Sequence, residues 1–382
     1  MQRNINKPIF IVGSPRSGTS VLTWCLGQHP NIFPVPESNW MGDFAVNVAI
    51  GYQSGAARGD CTILSAMDIR EDELFAVFGQ SINDLILRHR KDLERKRKQA
   101  HDTSTASEPK GRWVDGTPEY SFYICGLRKL FPDALFVHIL RDVRAVVRSM
   151  LNFHRVAGIK WISNEEKAYK HWLRSVRACI KAEQAYGPRV VYRIRYADLI
   201  DNPESAMRSL LDFLGEPYCA KCLQPLAERI NSSNVPADFK ADDPATDQAV
   251  IEKATRLCAT ATETPQRSEA SPSAAEEMEA AFDKWVQYMA TVESEYHREF
   301  SNTQMLLRLL DNVGEAAVRL GNSRRWRLVN SGRAIKAKLS RSKVSTGYDQ
   351  LDKIVAAYSQ WRASHPEIEK MDDPIELPTC RR

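Results

Sequence analysis

Gly13, Ser14, Pro15, Arg16, Ser17, Gly18, Thr19 and Ser20 follow one another in an order suited to holding an oxyanion. Two glycines let a backbone turn tightly. A helix opening at Thr19 would aim its free N–H groups, and the positive end of its dipole, at the same point. The spacing is that of a phosphate-binding loop, G-x-x-x-x-G-K-[ST], with one change. Thr19 stands where the lysine would be, and the cation has moved into the loop as Arg16. In a triphosphate site that lysine reaches the β- and γ-phosphates. No convincing acidic metal partner is evident at a strand end either, because the run Leu135 to Leu140 is followed first by Arg141 and only then by Asp142. The loop therefore reads as a holder for a 5′-phosphate that lacks much of the apparatus for splitting a magnesium triphosphate.

A second anion site is expected at Arg141, just past that apolar run, where open α/β sheets place their ligands. Ser149 lies eight residues on, about two helical turns, near the same face. An arginine fork and a hydroxyl make a clamp for a second phosphate. Arg144 and Arg148 read as a solvated basic helix face.

These residues need elements to carry them. Pro8 to Val12 is a short apolar run typical of a strand buried on both faces. Thr19 to His29 reads as a helix ended by Pro30. A charged helix over about 68–100 and a polar loop from His101 to Lys110 follow. Then come a helix Tyr120 to Phe131, a strand Leu135 to Leu140, a helix Val143 to Asn152, a long amphipathic helix Glu165 to Tyr186 and a strand Arg189 to Tyr196. A further helix, Pro203 to Leu214, has Gly215 as its cap. Strands alternating with helices predict an α/β fold: a central parallel sheet of the P-loop-NTPase-like kind, flanked by helices. Ala259 to Ala275 reads as a linker, Glu276 to Leu310 as helix, and the end of the chain as a helical, partly basic extension. The expected division is a core domain over 1–300 and the extension over 301–382.

Composition agrees with a globular protein. Of 382 residues, 43% are hydrophobic and 26% charged, which excludes a wholly disordered chain or a coiled-coil rod. No run is long and apolar enough for a membrane helix, and the N-terminus does not read as a signal peptide. Eight cysteines are scattered, with Cys219 and Cys222 the one close pair. They read as free thiols in a reducing compartment. The net charge is +5, but residues 316–348 hold nine basic residues and no acidic one, which leaves the rest near −4. The basicity is local.

Taken together these residues resemble the sulfotransferase family that uses 3′-phosphoadenosine 5′-phosphosulfate (PAPS). Pro15 to Ser20 resembles its 5′-phosphosulfate loop, and Phe136 to Ser149 its 3′-phosphate motif. Tyr196-Ala197-Asp198-Leu199, Asn202-Pro203-Glu204 and Leu211 to Gly215 resemble further landmarks, so the likeness spans about residues 7–300. Arg16, His29-Pro30 and Glu37, 21 residues beyond the arginine, reproduce the spacing in protein-tyrosine and many bacterial sulfotransferases. The resemblance implies that Ser14 to Ser20, Arg141 and Ser149 bind PAPS, that Ser232 and Ser233 are candidates for the serine closing over it, and that no metal is needed. It implies that Glu37 is the general base, which fits a carboxylate shortly beyond a phosphate loop. Gly116, in Val114 to Pro118, stands where relatives often carry a lysine, so the leaving phosphate would rest on Arg16 and the loop N–H groups.

The expected reaction is direct in-line transfer of a sulfuryl group to an acceptor hydroxyl. Ser323 to Leu328 resembles tails of bacterial surface-glycan enzymes, which points the acceptor toward a carbohydrate. Trp40, Tyr123, His154 and Trp161 are aromatics near the expected cleft in sequence terms. The expected setting is cytoplasmic, without nucleic acid, with peripheral contact to an anionic membrane through residues 319–343. Two rivals stand beside this: a nucleotide-dependent kinase on the same core, and a non-catalytic polyanion- or membrane-binding protein acting through the basic tail.

Overall fold

The structure is a computed structural model that describes residues 7–58, 61–100, 110–157, 162, 164–227, 235–236, 238–266, 269–340 and 348–364. Its centre is a five-stranded sheet in the order β2-β3-β1-β4-β5. The strands are β1 (Ile9–Gly13), β2 (Ile32–Pro34), β3 (Arg112–Asp115), β4 (Leu135–Leu140) and β5 (Val191–Arg195). Every pairing is parallel, so all five strands point their carboxyl ends the same way, where a ligand crevice is expected.

Strand periodicity explains the two cores. Phe10 and Val12 point to one face, where they meet Phe33, Trp113 and Phe136. Ile9 and Ile11 point to the other, against Val114, Val137 and Ile139. Residues of β1 are fully buried on both sides, which is why the run shows no polar alternation. The Phe10 ring stacks on Phe136 at 5.3 Å and meets Trp113 edge-on at 5.4 Å.

The helices are α1 (Thr19–Gly27), α2 (Met41–Ala56), α3 (Ile63–Ala66), α4 (Glu71–Ala100), α5 (Ile124–Leu130), α6 (Val143–Ala157), α7 (Glu165–Tyr186), α8 (Tyr196–Asp201), α9 (Pro203–Leu214), α10 (Gln224–Ala227), α11 (Gln248–Glu263), α12 (Pro272–Asn322), α13 (Arg324–Ser340) and α14 (Tyr348–Ser364). Residues of α2, α4, α5 and α7 cover the Phe10 face. Residues of α1, α8 and α9 cover the other. A third cluster joins α6, α7 and α11.

Several expectations need correction. The segment 259–275 is not one linker: α11 runs to Glu263 and α12 starts at Pro272, so only 264–271 connects them. Its Thr, Ser and Ala suited a linker by composition, but Ala254, Cys258 and Ala261 are buried on one side of α11. Tyr120 to Phe131 is broken into a 3₁₀ turn at Pro118–Phe122 and α5. Pro118 sits at the first position of that turn, which suits its missing N–H. The polar loop 101–109 lies outside the described residues.

The chain divides into two compact units, residues 1–289 and 290–382. In the second, Asp311 of α12 accepts from Tyr358 Oη at 2.6 Å and from Arg362 Nε at 2.9 Å, which ties α14 to α12.

Candidate active site

β1 delivers the chain to the loop at the carboxyl end of the sheet. Gly18 caps α1 at φ 107°, and a Cβ there would lie 2.7 Å from the Tyr196 ring. Glycine is therefore required twice over, by dihedral and by space. Arg16 also takes a positive φ, 69°. Such strain in a non-glycine residue persists only where the surroundings impose it, and it gathers at functional sites. The turn is closed by Ser17 N–H donating to the Ser14 carbonyl at 3.1 Å.

Three of the expected residues meet here. Arg16 Nε donates to Ser149 Oγ at 3.2 Å. Arg141 donates to the Arg16 carbonyl at 3.0 Å. The Arg16 guanidinium lies 4.7 Å from the Phe153 ring and that of Arg141 lies 4.3 Å from the Tyr196 ring. The ring that excludes a side chain at Gly18 thus also supports Arg141. Burial lowers the Arg16 pKa, the nearby Arg141 charge lowers it further, and Glu37 opposes both. Two cations held this close form a preorganised anion site.

Ser17 is 1% exposed and its hydroxyl has no hydrogen-bond partner among the described residues. A buried orphan hydroxyl costs about 1–3 kcal/mol, so it asks for a partner. Beside free N–H groups at the start of α1, that unmet donor fits a phosphate oxygen. Pro15 and Thr19 are buried, and Ser20 is exposed beside Glu37.

Glu37 is positioned by its neighbours. The Val35 N–H donates to the Val114 carbonyl at 3.0 Å. Ser38 Oγ donates to Asp115 Oδ2 at 2.6 Å, and the Ser38 N–H donates to Thr117 Oγ1 at 3.0 Å. Tyr120 Oη makes a short hydrogen bond with Ser38 Oγ and accepts from the Met41 N–H at 3.1 Å. Glu37 is thus fastened on both sides to the end of β3. The residue as a whole is exposed, but its carboxyl sits among groups that displace part of its water. That loss raises its pKa, Glu119 and Asp115 raise it too, and Arg16 with a hydrogen bond from Ser20 holds it down.

Asp115 is a site residue that the sequence reading did not single out. It closes β3, next to β1, and is fully buried. Its oxygens accept from Ser38 and from the Thr117 N–H and hydroxyl at 2.6–2.8 Å. Burial raises its pKa against those bonds. Its work here is to lock the Glu37 segment.

Arg148 is also corrected. It is not a solvated face residue: it donates to the Phe239 and Pro236 carbonyls at 3.0 and 3.3 Å, tying α6 to those two residues. Ser232 and Ser233 lie outside the described residues, as does Trp161. His29 is fully buried, with Nε2 2.9 Å from the Pro217 carbonyl, so the His-Pro pair anchors the turn between α1 and β2. Trp40 is 44% exposed three residues beyond Glu37, and its ring meets Phe44 at 5.7 Å. Tyr123 donates to Asp43 at 2.9 Å.

A parallel α/β core with an anion loop after β1 and an arginine after β4 defines a phosphate-binding protein of the P-loop-like class. The family model described as "Sulfotransferase family" matches residues 8–219, and the chain belongs to that family. Protein-tyrosine sulfotransferase 1 of Danio rerio is 25% identical over 215 residues, which cover 55% of this chain and 53% of that protein. The omega-hydroxy-beta-dihydromenaquinone-9 sulfotransferase Stf3 of Mycobacterium tuberculosis is 30% identical over 136 residues, 33% of each chain. The chain thus spans about half of one relative and a third of the other. The sulfotransferase domain from the Synechococcus PCC 7002 olefin synthase aligns with a TM-score of 0.40 at 20% identity, over 69% of this chain and 99% of that one.

Proposed function

We propose that the protein transfers a sulfuryl group from PAPS to an acceptor hydroxyl. The observation that carries this is the linkage of Arg16, Ser149 and Arg141 beside the orphan Ser17 hydroxyl. Ser17, the N–H groups opening α1 and Arg16 hold the 5′-phosphosulfate. Arg141 and Ser149 take the 3′-phosphate. These two groups follow neighbouring strands, so one ligand with two phosphates suits them better than a linear triphosphate.

Glu37 accepts the proton of the acceptor hydroxyl as that oxygen attacks sulfur. Its raised pKa makes its carboxylate a stronger base than an ordinary surface carboxylate. The bond from sulfur to the bridging oxygen breaks, and charge collects on the leaving 5′-phosphate, where Arg16 and the loop donors are aimed. Gly116 leaves that task without a lysine from β3.

The acceptor reading is a carbohydrate. The exposed Trp40 ring near Glu37 offers a stacking face for a sugar. The carboxylates of Asp43 and Glu119 nearby would repel an acidic peptide. The test is incubation with PAPS and separate neutral-sugar, tyrosyl-peptide and lipid-alcohol acceptors, with labelled sulfate followed into product. Transfer to sugars, lost in Glu37→Gln, supports the reading. Transfer to tyrosine or lipid alone overturns the acceptor, and transfer to none overturns the activity.

A further inference from the structure

The second unit carries a surface that the transfer reaction does not use. In α13, Leu328 is 73% exposed, Ile335 60% and Leu339 80%. They stand at i, i+7 and i+11, which puts them in one stripe along the helix. Arg325 and Lys336 flank the stripe on one side and Arg327 and Lys338 on the other, and all four are exposed. Trp326 falls on the opposite side of the helix and is half-buried. Exposed apolar side chains gathered in one stripe and rimmed by polar residues mark an interaction surface.

The charge says which partner. Residues 316–348 contain nine basic residues and no acidic one, while the rest of the chain is near −4. A second copy of the same helix would set these cations against each other. An anionic bilayer surface takes the apolar stripe into its acyl boundary, while the flanking arginines and lysines reach headgroup phosphates. No helix of the described residues is long and apolar enough to cross a membrane, so contact would be peripheral.

We propose that α13 is a docking surface for an anionic lipid bilayer, with Leu328, Ile335 and Leu339 inserted and Arg325, Arg327, Lys336 and Lys338 on headgroups. Cations near an anionic surface contribute roughly a fivefold gain in binding each. The idea is independent of the transfer chemistry.

The test is sedimentation of the full chain with phosphatidylcholine vesicles, alone or with about a third phosphatidylserine. Binding is expected to the mixed vesicles only, and to fall when salt is raised to about 1 M, where charges are screened within about 3 Å. Leu328→Gln/Ile335→Gln/Leu339→Gln and, separately, Arg325→Glu/Lys336→Glu are each expected to weaken it about tenfold or more. All five side chains are exposed, so both variants should keep the wild-type circular dichroism. Should either misfold, Lys336→Gln alone serves, with a roughly fivefold loss. Equal binding to both vesicle types, no binding to either, or unweakened binding of the folded variants overturns the proposal. So does dimerisation through α13, or capture by heparin or duplex RNA without vesicle binding.

Discussion

Arg16 and Ser149 lie 133 residues apart in the chain and meet at 3.2 Å. One belongs to the loop after β1, the other to the helix after β4. Because β1 is paired in parallel with β4 along all of its five residues, their carboxyl ends deliver both side chains to one point. That contact joins the loop after β1 to the helix after β4.

Arg16→Ala should therefore damage more than one function. It removes the loop cation, the partner of Ser149 and a charge that holds the Glu37 carboxyl down. Turnover is expected to fall about 10²–10³-fold, with weaker binding of the bisphosphate product. Arg16→Lys keeps the charge but not the fork, and should fall between the two. Steady-state kinetics of the three proteins checks the order.

Glu37→Gln should keep bisphosphate affinity and lose transfer about 10²–10⁴-fold. The pH profile follows from the raised pKa. The base must be ionised, so wild-type kcat should fall on the acid side at a pH above that of an ordinary carboxylate. Stability has the opposite sign. A carboxyl whose folded pKa is raised contributes stability at low pH and loses it as pH rises through the folded value. Glu37→Gln should thus melt at a higher temperature than wild type at neutral pH, with no difference below about pH 4. Thermal scans across that range test the sign.

Gly116 meets α1 closely. A Cβ there would lie 2.2 Å from Thr23 Oγ1, whose hydroxyl donates to the Thr19 carbonyl at 2.9 Å. Gly116→Ala should destabilise by about 1–3 kcal/mol. Thr23→Ala opens the space, so the double variant should be more stable than the sum of its single effects implies. A denaturant cycle reads the coupling, and strict additivity would refute the contact.

Glu183 of α7 makes a buried network with β4 and β5. It lies 2.5 Å from His138 Nδ1, accepts from Arg193 Nε at 3.0 Å and pairs with the Arg193 terminal nitrogen. Burial works to raise its pKa, but the bonds from His138 and Arg193 outweigh it and leave the carboxyl lowered. Its stabilisation is present above the unfolded value and lost as pH falls through the folded one. Glu183→Gln should cost about 3–5 kcal/mol at neutral pH, a gap that narrows below about pH 4. Transfer kinetics of the folded fraction should be unchanged.

The loop, β4, α7, α9 and the arginine after β4 were legible because each is a long or strongly patterned element with its own signal. β3 was not. Its four residues follow a polar stretch and begin with Arg112, which is buried only because Glu216 and the Lys7 and Leu214 carbonyls receive it at 2.7–2.9 Å. That compensation comes from remote parts of the chain, so no local pattern reports it. Missing β3 also hid Asp115 and the way Ser38 fastens the Glu37 segment. Glu37 itself could be found by its spacing from Arg16, while the direction of its pKa needed Glu119 and Asp115 in three dimensions. Arg148 looked like one more basic residue on a helix, because its two carbonyl partners lie about 90 residues downstream.

Calorimetric titration with 3′-phosphoadenosine 5′-phosphate, against ATP with magnesium, is the decisive measurement of the cofactor site. Tight bisphosphate binding without metal is expected, and it is expected to be lost in Arg16→Ala and Arg141→Ala. Binding of ATP with magnesium and not of the bisphosphate would contradict it, and the roles assigned to Arg141 and Glu37 would fall together.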